Sequence, residues 1–335
     1  MSTVAESPWR IEGKDFPYAG AWEEKVRFCC NYGILAPSVH NVQPWEFVFR
    51  GRTLTVSPSR QRKLQHGDPT GRQTWLSLGA CVENIILAAN HFGLAAKIEV
   101  LNQGRIFLAF SKGKPIGHDL FHEIPNRRTN RHNFEPRKPK GNVLGALAGT
   151  AGSAAARVVT DPILIGEIAQ MTRSALGMAF ANPSFRRELS ELITPGLSSK
   201  RVGIPGHSLA IGRLRAGLLE PHIVRFGLNS KQQADKDAQL IESAAALVLV
   251  FSKGDLPKYW VDAGRLYQHK ALAASAAGLS QSTTAAVVEA ADFHSEIEKK
   301  LGLRQRLQAV LRVGLSDVRP RHSARLSVKE VTVSN

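Results

Sequence analysis

An α+β architecture is the fold class this sequence predicts, and three observations predict it. The first is an internal repeat. Trp75-Leu-Ser-Leu-Gly79 precedes Leu87-Ala88-Ala89 and Gly93-Leu94, and Trp260-Val-Asp-Ala-Gly264 precedes Leu272-Ala273-Ala274 and Gly278-Leu279; every matched residue is offset by 185. Both segments read as helices, since Ala and Leu are good helix formers and Gly93 and Gly278 stand where a C-terminal cap belongs. The second is a set of short strand-like runs. The third is that helices and strands alternate without the regular βαβ rhythm of a doubly wound sheet.

The elements follow in order. Adjacent Cys29-Cys30 reads as a buried helix face. Glu46–Arg50 and Thr53–Ser57 form a hairpin turned at Gly51-Arg52. The first repeat helix comes next, then strands at Lys97–Leu101 and Ile106–Ser111 around Asn102-Gln103-Gly104. The second copy shows strands at Arg157–Thr160 and Leu247–Ser252, its repeat helix, a short amphipathic helix at Phe293–Leu301 and a strand at Gln308–Leu315. Ser280–Thr284 reads as a turn. Gly79 and Gly264 fall inside helices, at a cost of roughly 1 kcal/mol each against Ala. That cost predicts close approach of another backbone. Two halves result, 20–125 and 126–335, joined through the charge-, Pro- and Gly-rich stretch His118–Gly141. Residues 184–230 are an insert in the second half, broken at Pro195-Gly196, Ser198-Ser199 and Pro205-Gly206, with a helix expected from Arg213 to Arg225. Long insertions of this kind often serve as lids.

Composition excludes several classes. The apolar run Ala244–Phe251 is too short to span a bilayer, so no membrane association is expected. Met1–Arg10 lacks the apolar core of a secretory signal. Cys29, Cys30 and Cys81 have no metal-ligand spacing, and a reducing cytoplasm is the natural compartment. The net charge of +16 suits an anionic partner. No helix-turn-helix, RNP or zinc-finger pattern accompanies it, so nucleic-acid binding is the minor reading beside phosphate handling or a solvated basic surface.

The densest polar motif is Ala36-Pro37-Ser38-Val39-His40-Asn41-Val42-Gln43-Pro44-Trp45. Pro37 and Pro44 fix φ and restrict the residue before each. Ser38, Asn41 and Gln43 thus project donors and acceptors from a stiff loop. Such a loop suits a planar polar ligand, or is a turn that satisfies its own backbone. A second motif, Arg127-Arg128-Thr129-Asn130-Arg131, sets three guanidinium groups around a hydroxyl. It suits phosphate, or is a solvated basic turn. The C-terminus adds Arg319-Pro320-Arg321-His322, ahead of Leu326-Ser-Val-Lys-Glu-Val331.

These motifs together resemble the nitroreductase family. A-P-S-x-x-N-x-Q-P-W is similar to its flavin-binding loop, which implies that Pro37, Ser38 and Asn41 lie against FMN, with Gln43 in the same set. The R-R-T-x-R segment resembles the family's opening motif. The resemblance implies FMN phosphate and ribityl contacts for Arg127, Thr129 and Arg131, with Arg128 beside them. Arg319 and Arg321 match its closing basic pair on the phosphate. The loop belongs to the first copy and the arginines to the second, where Ala146–Ser153 replaces the loop. One site can be assembled, as in the Acg-type branch, in which a single chain mimics a dimer. The resemblance implies a monomer, compatible with further homodimerisation. It also implies hydride transfer from NADH or NADPH through FMN to a nitroaromatic, quinone or similar small-molecule acceptor. A catalytically weak flavin-holding protein is the alternative. No side chain is assigned as general acid or base; His40 and His207 are conceivable donors. Ser280–Thr284 would face the flavin but lacks the family's proline, and Glu289 has no assigned place.

Overall fold

The computed structural model describes residues 8–101, 104–117, 119–194, 200–205 and 229–334. His118, Pro195-Gly196, Ser198-Ser199, Gly206, His207, the helix expected at Arg213–Arg225 and the Asn102-Gln103 part of the turn lie outside the described residues.

In the first half, α1 (Trp22–Gly33) buries Cys29 and Cys30 fully. The hairpin β1 (Trp45–Arg50) and β2 (Thr53–Pro58) follows, then α2 (Arg72–His91), β3 (Leu94–Leu101) and β4 (Arg105–Lys112). Gly93, at φ 75°, lets the chain leave α2 directly into β3. The four strands form an antiparallel sheet in the order β1-β2-β4-β3. A short α3 (Asp119–Glu123) leads to the second half.

The second half contains β5 (Gly149–Ala151), β6 (Ala154–Val159), α4 (Pro162–Ala181), α5 (Pro183–Leu192) and the two-residue strands β7 (Ile193–Thr194) and β8 (Ile204–Pro205). Then come α6 (Ser230–Glu242), β9 (Ala246–Ser252), α7 (Pro257–Ala276), β10 (Ser280–Thr284), α8 (Ala286–Glu289), α9 (Phe293–Lys300) and β11 (Arg306–Gly314). The sheet runs β10-β11-β9-β6-β5. Four of its strands, β6-β9-β11-β10, repeat the order β1-β2-β4-β3, with α7 between β9 and β10 as α2 lies between β2 and β3. The segment expected as a turn, Ser280–Thr284, is therefore a strand, because the chain past Gly278 returns to the sheet edge and pairs with β11.

The two sheets differ in patterning for a physical reason. β2 alternates buried and partly exposed residues, as expected of a sheet covered mainly on one face. β9 is buried at every position. Ala246, Val248 and Val250 pack toward α7, whereas Leu247, Leu249 and Phe251 pack against Ile165 and Ile168 of α4 and Ala238 of α6. The helices inserted between β6 and β9 cover the outer face that the first half leaves open.

The halves meet along α2 and α7. A Cβ on Gly79 would collide with the Val261 carbonyl, and one on Gly264 with the Leu76 carbonyl. These contacts are equivalent under the 185-residue offset. So are two polar pairs: Glu83 Oε1 with His269 Nδ1 at 3.0 Å, and the Gln268 Nε2 donor with Asn84 Oδ1 at 2.8 Å. The mid-helix glycines serve the backbone approach that their cost predicts. At the C-terminus, residues 328–331 form a turn. Only Thr332 bridges to the sheet, where Phe47 N donates to Val331 O (2.8 Å) and Val333 N to Phe47 O (3.0 Å). The chain end thus crosses back to β1.

Candidate functional site

Both halves wall a cavity of about 590 Å³, within the range of small-molecule sites. The first half contributes Pro37, Ser38 and His40 from the loop and Gln73 and Ser77 from α2. The second contributes Thr129, Arg131, Tyr267 and the hydroxyls of Ser282, Thr283 and Thr284. Leu189, Ile193 and Ile204 close one side; these belong to the insert.

The loop is rigid, at a conformational cost. His40, Asn41 and Gln43 all adopt positive φ (45°, 56° and 51°), which is unusual for residues other than Gly. Hydrogen bonds over-determine this shape. Ser38 Oγ accepts from Gln43 N (2.9 Å), and Ser77 Oγ accepts from Val39 N (3.3 Å). Asn41 Nδ2 donates to the carbonyls of Arg201, Gly203 and Ala324, while its Oδ1 accepts from Arg325 (2.7 Å). Gln43 Nε2 donates to Arg201 O (2.7 Å) and its Oε1 accepts from Leu326 N (2.7 Å). Pro37 and Ser38 therefore line the cavity. Asn41 and Gln43 instead fasten the loop to the insert and the C-terminal segment.

The arginine segment divides similarly. Thr129 and Arg131 line the cavity. Arg127 is 2% exposed, and among the described residues its one side-chain hydrogen bond is from NH2 to Leu35 O (3.4 Å); Nε and NH1 are buried without a partner. Arg128 gives one bond to Asn126 O and leaves Nε buried and unpaired. Burial lowers the pKa of Arg127, Arg128 and Arg131, with Arg319 adding to the shift at Arg128. Tyr267, bonded to Thr283 Oγ1 at 2.5 Å, has its phenol pushed up by burial and drawn back by Arg127 and Arg131. Burial and then Arg131 lower His40 to about 4, against an opposing pull from Glu188. It is a neutral imidazole at pH 7.

Arg319 and Arg321 are exposed. The buried C-terminal cation is Arg325, 4% exposed, whose NH2 donates to the Leu35 and Ala36 carbonyls. His322 lies between Arg325 and the 127–131 segment and stacks on Trp9 at 3.9 Å. Sequence reasoning missed Arg325 and noted His322 only as the last residue of the basic cluster, without a role. The only signal was their place within six residues of the noted basic pair.

The insert is pinned to the first half. The Glu188 carboxylate on α5 accepts from three consecutive backbone amides, Gln65, His66 and Gly67, the first and last at 2.6 Å. Arg201 is ion-paired with Glu330. On the cavity wall, Glu289 is ion-paired with Arg72 (2.6 Å) and accepts from Gln73 (2.7 Å); burial raises its pKa in spite of Arg72.

The equivalent loop of the second copy is built differently. Asp262, which stands 185 residues after Ser77, accepts from Ser153 N (3.0 Å) and Oγ (2.6 Å). The stretch before it forms β5, pairs with β6, and receives the Lys270 ammonium on the Ala148 carbonyl. Among the described residues no cluster of metal-ligating side chains occurs, and no helix is long and apolar enough to cross a membrane.

No family model matches the chain. Among curated proteins it is similar to "Putative NAD(P)H nitroreductase acg" of Mycobacterium tuberculosis, 26% identical over 292 residues, covering 84% of this chain and 86% of that protein. By that relative the chain is similar to the nitroreductase family. A second nitroreductase relative, "Putative NAD(P)H nitroreductase Rv3131" of the same organism, is 25% identical over 198 residues, 55% of either chain. The chain thus spans about half the length of that relative. Among solved structures, the FMN-dependent nitroreductase NfnB of Mycobacterium smegmatis in complex with NADPH overlaps with a TM-score of 0.39 at 16% identity, covering 64% of this chain and 98% of that one.

Proposed function

We propose that this nitroreductase homologue binds one FMN per chain and acts as an NAD(P)H-dependent oxidoreductase toward a small acceptor. One observation carries the reading. Arg127 is a buried guanidinium with two unpartnered nitrogens and no carboxylate partner among the described residues. A buried cation of this kind is costly unless an anion meets it. The donor set suits a phosphate, and the adjoining cavity, walled by hydroxyls, Arg131 and apolar side chains, suits a ring and a polyol. Thr129, Arg131, Pro37 and Ser38 would hold the ring and ribityl portions. Asn41 and Gln43 would contribute by fixing the loop.

Bound FMN would supply the redox chemistry, taking hydride from NADH or NADPH and passing electrons to a nitroaromatic, quinone or similar acceptor. The chain's own part is to orient the flavin and shield it from water. Neutral His40 and the half-buried Tyr267 phenol offer hydrogen bonds inside the cavity without added charge. The repeated strand order and symmetric helix crossing support a single-chain pseudo-dimer of halves 20–125 and 126–335. The remodelled Ala146–Ser153 loop supports a single surviving site. The test is titration of flavin-free protein with FMN and with riboflavin. FMN should bind far more tightly. Equal affinities would remove the phosphate role.

The Glu188 clamp favours a second reading, a protein that holds flavin and turns over slowly. Insert residues wall the cavity and are fastened to the opposite half. If so, NADPH should bleach the bound flavin slowly, and Glu188→Gln should speed bleaching. Fast bleaching in the parent protein, unchanged by the substitution, would leave the reductase reading alone.

A further inference from the structure

The cavity has a second polar corner, built across the seam between the halves. Arg72 and Gln73, the first two residues of α2, meet Glu289, the last residue of α8. Gln73 and Glu289 both line the cavity, as do Ala290 and Ala291. Glu289 Oε1 takes both protein contacts, Arg72 NH2 at 2.6 Å and the Gln73 Nε2 donor at 2.7 Å. Glu289 Oε2 and Gln73 Oε1 have no hydrogen-bond partner among the described residues, and neither atom is sealed in the interior. The direction of the Gln73 amide follows from its partner. A carboxylate paired with an arginine only accepts, so Nε2 faces Glu289 and Oε1 is left open.

The corner is held in place from behind. Arg72 is 3% exposed and donates to Leu307 O and Gln308 Oε1 of β11, both at 3.4 Å. Asp68 accepts from Gln73 N (2.9 Å) and Thr74 N (2.8 Å), which fixes the start of α2. Two residues after Glu289, Ala291 holds φ at 45°, a strained conformation of the kind that collects at ligand sites. The corner is also distinct from the arginine segment in charge. The charged groups acting on Glu289 are Arg72 and Asp68, whereas Arg131 acts with Asp237 and Tyr267.

We propose that Glu289 and Gln73 form a subsite for a nitrogen that carries at least two N–H donors, a primary amide or an ammonium group, on the molecule that docks beside the flavin. The proposal rests on the FMN reading for what fills the rest of the cavity; the two open acceptors stand on their own.

The chemistry follows from the donor and acceptor balance. The two open oxygens flank one hydrogen bond, and the donors nearest them, on Arg72 and Gln73, are turned toward Oε1. A primary amide offers two N–H groups in one plane and an ammonium offers three, so either can meet both oxygens. A ligand carboxylate would set lone pairs against lone pairs and a negative charge against Glu289, whose side chain is only 17% exposed and little screened. Phe180 and Phe185 line the same cavity and suit a flat ring bearing the nitrogen. Two sources share this chemistry. A nicotinamide hydride donor carries the primary amide, and an amine-bearing acceptor carries the ammonium.

The test is calorimetry on the protein as purified, its FMN content counted by absorbance, with nicotinamide against nicotinate and 4-nitrobenzylamine against 4-nitrobenzoate. In at least one pair the amide or amine should bind about tenfold more tightly than the acid, or better. A preference for nicotinamide assigns the subsite to the hydride donor; a preference confined to the nitro pair assigns it to the acceptor. Glu289→Gln should cut the preference to a few-fold or less. If that substitution unfolds the chain by stranding Arg72, Gln73→Met keeps the ion pair and should weaken the favoured probe several-fold without changing the FMN count. Equal binding of acids and N–H donors, no binding of any probe, or a preference that survives the substitutions would overturn the proposal. One FMN per chain without the preference removes this proposal alone. The preference without retained FMN removes the flavin reading alone.

Discussion

Ser77 and Asp262 occupy the same place in the two copies of the repeat, yet they organise different loops. Ser77 accepts one amide, that of Val39, and leaves the loop around Pro37 and Ser38 open onto a cavity. Asp262 grips both the amide and hydroxyl of Ser153, behind a hairpin strand. The helices carrying them cross with matching glycine contacts and matching polar pairs. The helix crossing is therefore symmetric while the two loops beside it are not. The crossing is a packing constraint on both copies at once. A ligand loop can be remodelled in one copy as long as its backbone groups find other partners.

The largest expected effect lies in the cationic side of the open site. Arg127→Ala should weaken FMN binding by about tenfold to a hundredfold, since a charge-assisted hydrogen bond is worth roughly 1.5–3 kcal/mol. Flavin fluorescence titration measures it. Arg157 on β6 of the second sheet, exposed and away from the cavity, should tolerate the same change with unaltered affinity. Equal losses would break the claimed difference between the regions.

The shared crossing should respond alike in both copies. Gly79→Ala and Gly264→Ala each push a methyl group into a backbone carbonyl. Overpacking costs of about 1–3 kcal/mol are offset by roughly 1 kcal/mol of helix propensity, so both should lower the denaturation midpoint by similar amounts. A large effect at one glycine and none at the other would contradict the symmetric packing.

The pH response sharpens the contrast further. His40 has a folded pKa near 4, below its ordinary value of about 6.5. The unfolded chain binds more protons between those values, so this residue withdraws stability as pH falls from about 6.5 to about 4 and has no effect above. His40→Gln should flatten that part of the stability profile measured by denaturant melts. An unchanged profile would show that the residue is not held neutral.

The smallest effect concerns the paired positions themselves. Ser77→Ala removes one neutral hydrogen bond, worth about 0.5–1.5 kcal/mol, and should loosen FMN binding a few-fold. Asp262→Asn should leave FMN affinity unchanged. Reversed sensitivities would place the ligand loop in the other copy.

Much of the fold was legible in the sequence, for reasons specific to particular residues. The 185-residue repeat, the Gly51-Arg52 hairpin and the costly mid-helix glycines reported local requirements that the fold preserves. The Ser280–Thr284 strand was not legible, because five polar residues carry no alternation and only the sheet edge left by β11 makes them a strand. The same limit applied at the site. The loop and the arginine segment announced themselves through composition, and the structure brings Pro37, Ser38, Thr129 and Arg131 to one cavity. Side-chain direction was hidden: Asn41 and Gln43 turn toward carbonyls 158 or more residues away. Arg325 and His322 outrank Arg319 and Arg321 in burial only because of how the C-terminal segment folds back past the loop to β1.

The central claim is that one copy of the duplicated scaffold retains a flavin site and the other has lost it. Equilibrium titration of flavin-free protein with FMN, with bound flavin counted by absorbance after gel filtration, tests it most directly. One FMN per chain, displaced far less readily by riboflavin than by FMN, is the predicted result. Two equivalent sites per chain, or no retained flavin at all, would contradict it.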